Sequence, residues 1–138
     1  MNISNYQRQH EELKELANEL AGTLDPDFLK TNASAVHSVL YKLAGKLNLH
    51  LSFEDNNLYP TLAASGNVEA QNTAKSFQDE MGGLSNAFKG YLANWANSMT
   101  IQNNPGQFIE QTKGIYEALS SRIEREESIL YPLAAAVG

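Results

Sequence analysis

The chain has 138 residues, with 10 Lys and Arg against 16 Asp and Glu, three His and no Cys. That length suits one domain with its own buried core, so a single domain over residues 1–138 is expected. A net charge of −6 without a Lys/Arg cluster argues against nucleic-acid and anionic-membrane partners, and the lack of Cys excludes disulfides, thiolate metal sites and cysteine nucleophiles.

No window is apolar enough for a membrane span, and the stretch Met1 to Arg8 carries no apolar leader. A cytoplasmic location is the expectation. Leu, Ala, Glu, Lys and Gln dominate and no stretch alternates apolar with polar for long, which predicts an all-α chain.

The first apolar stripe runs Ile3, Tyr6, His10, Leu13, Ala17, Leu20 at spacings of three and four, and Gly22 to Pro26 closes it. The second runs Val36, Leu40, Leu43, Leu47, His50, Glu54, Leu58 and ends at Leu58-Tyr59-Pro60. The third follows Ser65-Gly66-Asn67 without a polar interruption: Ala70, Ala74, Phe77, Met81, Leu84, Phe88, Tyr91, Trp95. Gly82-Gly83 inside it costs roughly 1 kcal/mol per glycine against alanine, consistent with a close helix approach or a kink. The fourth follows Asn103-Asn104-Pro105-Gly106 and runs Phe108, Thr112, Ile115, Leu119, Arg122, Glu126, Ile129. It ends at Leu130-Tyr131-Pro132, a repeat of the earlier tripeptide, and proline there is expected to stop both helices. Four such stripes predict an antiparallel up-down-up-down four-helix bundle.

His10, His50, Glu54, Arg122 and Glu126 all stand where a bundle should be apolar. In antiparallel neighbours, residues equidistant from the connecting loop share a height. About Ser65-Gly66, His50 pairs with Met81 and Glu54 with Phe77. About Ile101, Met81 pairs with Arg122 and Phe77 with Glu126. Two adjacent layers result, and His10 joins them if the first turn is centred near Lys30. A short separate helical turn over 26–31 is therefore expected, with the long second helix starting near Asn32 to Ser34.

Buried carboxylates are found paired, protonated or bound to metal. His10, His50, Glu54 and Glu126 form a nitrogen and oxygen donor set that suits iron, with zinc or manganese as alternatives. His50 and Glu54, one turn apart, can serve one ion. A rival arrangement is metal-free: Arg122 neutralises both Glu54 and Glu126 through its planar fork. Within the acidic run Glu124 to Glu127, Glu127 is a second choice as ligand. His37 is expected to be a partly exposed surface residue. No Glu-x-x-His, phosphate-binding glycine loop or Gly-x-Ser-x-Gly occurs.

His50-x-x-x-Glu54-Asp55-x-x-Leu58-Tyr59-Pro60 resembles the signature that ends the second helix of hemerythrin-type HHE cation-binding domains. Arg122-x-x-x-Glu126-Glu127-x-x-Leu130-Tyr131-Pro132 resembles the fourth-helix signature, with arginine in place of histidine. His10 in Arg8-Gln9-His10-Glu11-Glu12-Leu13 is similar to the family's first-helix ligand. In the family's oxygen carriers, five histidines and two bridging carboxylates hold two irons. Three histidines in all cannot supply that set. The missing ligands, two on the third helix and one at Arg122, belong to one ion. Those retained, His10, His50, Glu54 and Glu126, serve the other.

The resemblance thus implies at most one metal per chain, most simply iron, with Arg122, Met81 and Phe77 lining the cofactor pocket beside it. Three readings of function stand. One is a binding or sensing domain for a small diatomic ligand, O2 or NO, or for the metal. Another is a small non-haem enzyme acting on peroxide or NO. The last is a structural or interaction protein without metal. The sequence does not specify an oligomeric state.

Overall fold

The computed structural model describes residues 1–137. They are all-helical, and no strand forms among them. Helix α1 (Ser4–Ala21) buries the first stripe from Tyr6 to Leu20 and stops at Gly22, where the Gly22 N–H bonds back to the Asn18 carbonyl and the Thr23 N–H to the Leu20 carbonyl. Helix α2 (Pro26–Phe53) starts where the Asp25 carboxylate accepts the Phe28 N–H at 2.9 Å, with Pro26 pre-set at its first position. Asn32 leaves helical geometry at φ −128°, ψ 23°, so 26–31 is a separate turn before the long helix, as the height of His10 requires.

Beyond Phe53 the rod does not end. Residues Glu54–Leu58 form a π turn in which the Tyr59 N–H reaches the Glu54 carbonyl, and α3 (Tyr59–Ala63) carries on. Helix α4 (Val68–Asn94) follows a turn through Gly66 at φ 74°, a left-handed conformation that suits glycine, and Asn67 caps it through the Ala70 N–H. A short α5 (Ser98–Asn103), capped by Asn97, stands where a plain loop was expected, and its Ile101 is fully buried. Helix α6 (Pro105–Arg125) then enters a second π turn, Glu126–Leu130, and α7 (Tyr131–Val137) completes the described chain.

The two Leu-Tyr-Pro tripeptides therefore do not stop their helices. Pro60 and Pro132 fall at the second residue of α3 and α7, in a first turn where a missing N–H is tolerated. Each π turn adds a residue to its turn, which shifts every position beyond it. The fourth stripe is corrected accordingly: Ile129 is exposed, and Leu130 and Tyr131 take the inward places.

Helix α1 packs on α2 and α6, α4 packs on α3, α6 and α7, and α5 lies against α2. The apolar interior divides into two clusters. One runs from Leu13 and Leu43 to Trp95 and Phe108, the other from Tyr6 and Leu58 to Phe77 and Ala134. Among the described residues, no helix is long and apolar enough to cross a membrane.

Gly82 and Gly83 neither admit a neighbouring helix nor kink α4. A Cβ at either meets nothing within 4 Å, and the helix is regular through both. Replacing both with alanine is expected to stabilise the protein by about 1–2 kcal/mol, read from thermal or urea unfolding.

Candidate metal centre

Between the two apolar clusters lie the polar side chains that the heptad-like stripes carry inward. His10 comes from α1, His50 from α2, and Glu54 and Glu126 from the first residue of each π turn. Each of the four offers a donor atom within 4.8 Å of the others, and all four are buried. His10 Nε2 is 3.2 Å from His50 Nε2 and 3.2 Å from Glu126 Oε2. His50 Nε2 is 3.4 Å from Glu54 Oε1 and 3.6 Å from Glu126 Oε2.

The outer ring nitrogens fix how the inner ones point. Gln9 Oε1 lies 2.8 Å from His50 Nδ1, and Glu127 Oε1 lies 3.2 Å from His10 Nδ1. Both neighbours are acceptors, so both histidines donate their Nδ1–H outward. Their Nε2 atoms then face each other with lone pairs, a contact that only a proton or a cation between them relieves. Glu54 Oε1 is a buried acceptor without a hydrogen bond. Bonds of ~2.1 Å to one ion place neighbouring donors roughly 3.0–3.4 Å apart, close to the separations here. The donor set fits a single cation.

Glu127 is not in the cluster. Half-buried, it holds the outer nitrogen of His10 and takes an ion pair from Lys14 at 3.0 Å. His37 is partly exposed, lies against the Tyr41 ring and is not among the converging donors.

Arg122 is buried beside Glu126. Its Nε donates to Glu126 Oε1 at 3.2 Å, Nη1 to Glu80 Oε2 at 3.3 Å, and Nη2 to the Tyr59 hydroxyl at 3.3 Å and the Phe77 carbonyl. The guanidinium lies 4.5 Å from the Phe77 ring centroid. The expected fork to both carboxylates is corrected here: it bonds Glu126, not Glu54, because α3 and α4 take its other arm. Met81, also buried, packs into the larger apolar cluster. Arg122 and Phe77 thus stand beside Glu126, and among the described residues no second group of His, Asp or Glu donors converges.

Two groups at the centre escaped the sequence reading. The Tyr131 hydroxyl is 2.9 Å from His10 Nε2 and from Glu54 Oε2, and 3.0 Å from Glu126 Oε2. Tyr59, its counterpart in the first tripeptide, binds Arg122 instead. Each tyrosine stands five residues after a buried carboxylate. In an α-helix that is roughly 140° around the axis, off the site. The i→i+5 bond of a π turn brings it back over the carboxylate.

Burial, aided by negative Glu126, pushes Glu54 up to about 7 against the pull of His50. Burial alone would lower His50, but Glu126 and Glu54 beside the ring push it up to about 9. Burial would raise Glu126, yet bonds from His10 and His50 hold it well below the usual carboxylate range. The histidines, rather than Arg122, dominate that effect. Burial and the two carboxylates keep the Tyr131 phenol far above its ordinary range.

These features define a helical protein with an interior cation-binding cluster. The chain belongs to the hemerythrin HHE cation-binding family: the family model matches residues 1–134. No curated protein and no solved structure matches it significantly. Family membership and the His/Glu cluster together make it a metal-cation-binding domain.

Proposed function

We propose that the chain folds as an antiparallel up-down-up-down four-helix bundle and holds one non-haem iron between His10, His50, Glu54 and Glu126. The observation that carries this reading is the pair of Nε2 atoms 3.2 Å apart, each turned inward by an outward bond to Gln9 or Glu127. An iron bound there supplies affinity for a small diatomic ligand, O2 or NO, or makes the domain a sensor of iron itself. The residues around it do the rest. Gln9 and Glu127 orient the imidazoles, the buried apolar cluster of Tyr6 and Leu58 adjoins the site, and Arg122 occupies the side where a second ion would need donors.

Metal analysis of protein purified from an iron-replete host should give at most one equivalent, and His50→Ala should lose it while staying folded. Two equivalents, or the spectrum of an oxo-bridged iron pair, defeat the single-ion reading. Zinc or manganese in place of iron corrects the metal. No metal under any loading leaves the rival, a structural protein built on the Arg122–Glu126–histidine network.

A further inference from the structure

We infer that Tyr131 is a fifth protein donor to the bound ion, through its phenol oxygen. The inference rests on the single-ion reading above and goes beyond it by adding a ligand type that neither the family resemblance nor the His/Glu pattern supplies.

The phenol has one hydrogen for two carboxylate oxygens, Glu54 Oε2 at 2.9 Å and Glu126 Oε2 at 3.0 Å, and His10 Nε2 stands 2.9 Å away on its other side. One hydrogen serves one acceptor, so at least one of these close contacts needs a further proton or a cation between its atoms. A cation among the four atoms converts every one of these contacts into an edge between neighbouring ligands. Those separations match the roughly 3.0 Å expected between adjacent donors on ~2.1 Å bonds.

The oxygen cannot drift away from this position. Tyr131 is 1 % exposed, its ring packs 5.0 Å from the His10 ring and 5.7 Å from the Tyr6 ring, and the π turn sets its backbone against Glu126. Tyr59 shows that the repeat alone does not place a phenol here, since its own hydroxyl is used by Arg122.

Coordination exchanges the O–H bond for an O–metal bond, and the proton leaves to the buffer. The ligand produced is an anionic, hard oxygen, which favours a trivalent over a divalent ion. With Glu54 and Glu126 it gives three anionic oxygens to offset three positive charges in a buried site, while Arg122 is shared with Glu80. The site is therefore expected to prefer ferric iron.

The test is the visible spectrum of the whole protein loaded with ferric iron, alongside Tyr131→Phe, Tyr59→Phe and iron content. Wild type and Tyr59→Phe should show the broad phenolate-to-iron charge-transfer band, and Tyr131→Phe should bind iron without it. Ferric affinity of Tyr131→Phe should fall roughly tenfold or more, with zinc affinity little changed. If Tyr131→Phe fails to fold, resonance Raman on the wild-type band with ring-deuterated tyrosine decides the matter, since only a tyrosinate ligand shifts. Bound iron without the band, or a band that survives in Tyr131→Phe, overturns the tyrosine ligand and leaves the four-ligand site standing. Wild type that takes up no metal overturns both.

Discussion

Between pH 6 and pH 9 the metal-free protein should lose stability while the metal-loaded protein gains it. The metal-free half follows from two groups whose folded values lie above their ordinary ones: Glu54 at about 7 and His50 at about 9. A group raised on folding adds stability that is fully present below its unfolded value and is lost as pH climbs through the folded one. For Glu54 that window runs from its ordinary 4.5 to about 7, and for His50 from 6.5 to about 9. Glu126 is depressed and works the other way, losing its contribution only as pH falls below the ordinary carboxylate range. Each unit is worth about 1.4 kcal/mol, so a loss of several kcal/mol between pH 5 and pH 9.5 is expected without metal.

A bound cation reverses the slope: displacing the protons of His50 and Glu54 cancels the metal-free loss, and displacing the Tyr131 proton, which the unfolded chain keeps below its ordinary 10, turns it into a gain. Affinity for ferric iron should rise about a hundredfold per pH unit between 7 and 9, as His50 and the Tyr131 phenol each give up a proton, and more steeply below 7, where Glu54 gives up another. Thermal melts of the metal-free and loaded forms across pH 5–9.5 check both limbs, and proton release on loading measures the count. Parallel slopes for the two forms would mean that His50 and Glu54 do not face the ion.

The apolar stripes were legible because nearly every buried position on the long helices recurs at three or four residues, and the polar exceptions on them are the same residues that meet in the structure. Even the kink at Asn32 could be read, since His10 reaches the height of His50 only if the chain makes a separate turn before the long helix. What failed was anything that depends on the π turns. A three-four periodicity extrapolated past Glu126 puts Ile129 inward and Tyr131 off the site, and the extra residue per turn inverts both. Leu-Tyr-Pro reads as a helix stop by the ordinary rule for proline. The tripeptide instead follows a register shift, and the repetition of carboxylate, four residues and tyrosine was the available sign of it. Short range misled at Arg122 too. Its heptad position predicts burial beside Glu126, but the carbonyl of Phe77 and the hydroxyl of Tyr59 that draw the guanidinium away from Glu54 belong to other helices.

Arg122→Met should destabilise the metal-free protein by about 3–5 kcal/mol, the range for removing one partner of a buried charge pair. Methionine keeps much of the apolar stem and adapts to irregular gaps, so lost volume is a minor part of the effect. The larger part is what the guanidinium leaves behind: Glu126 Oε1, the Tyr59 hydroxyl and the Phe77 carbonyl, all of which it bonds. Glu80 adds little, since it is largely exposed and keeps Arg125. The penalty should also depend on pH. At pH 6, His50 holds its proton and Glu54 is mostly protonated, so the remaining Glu126 charge is balanced within the cluster. Above pH 9, His50 is neutral and both carboxylates are ionised with no cation left beside them. Urea unfolding should therefore show a larger loss at pH 9.5 than at pH 6, and addition of metal should recover much of it by restoring a positive charge. Arg122→Lys should rescue only in part, because one ammonium cannot reach Glu126 and the Phe77 carbonyl in the two directions the planar fork covers. A Met variant equally stable to wild type, or equally destabilised at both pH values, would show that Arg122 does not balance the charge of this site.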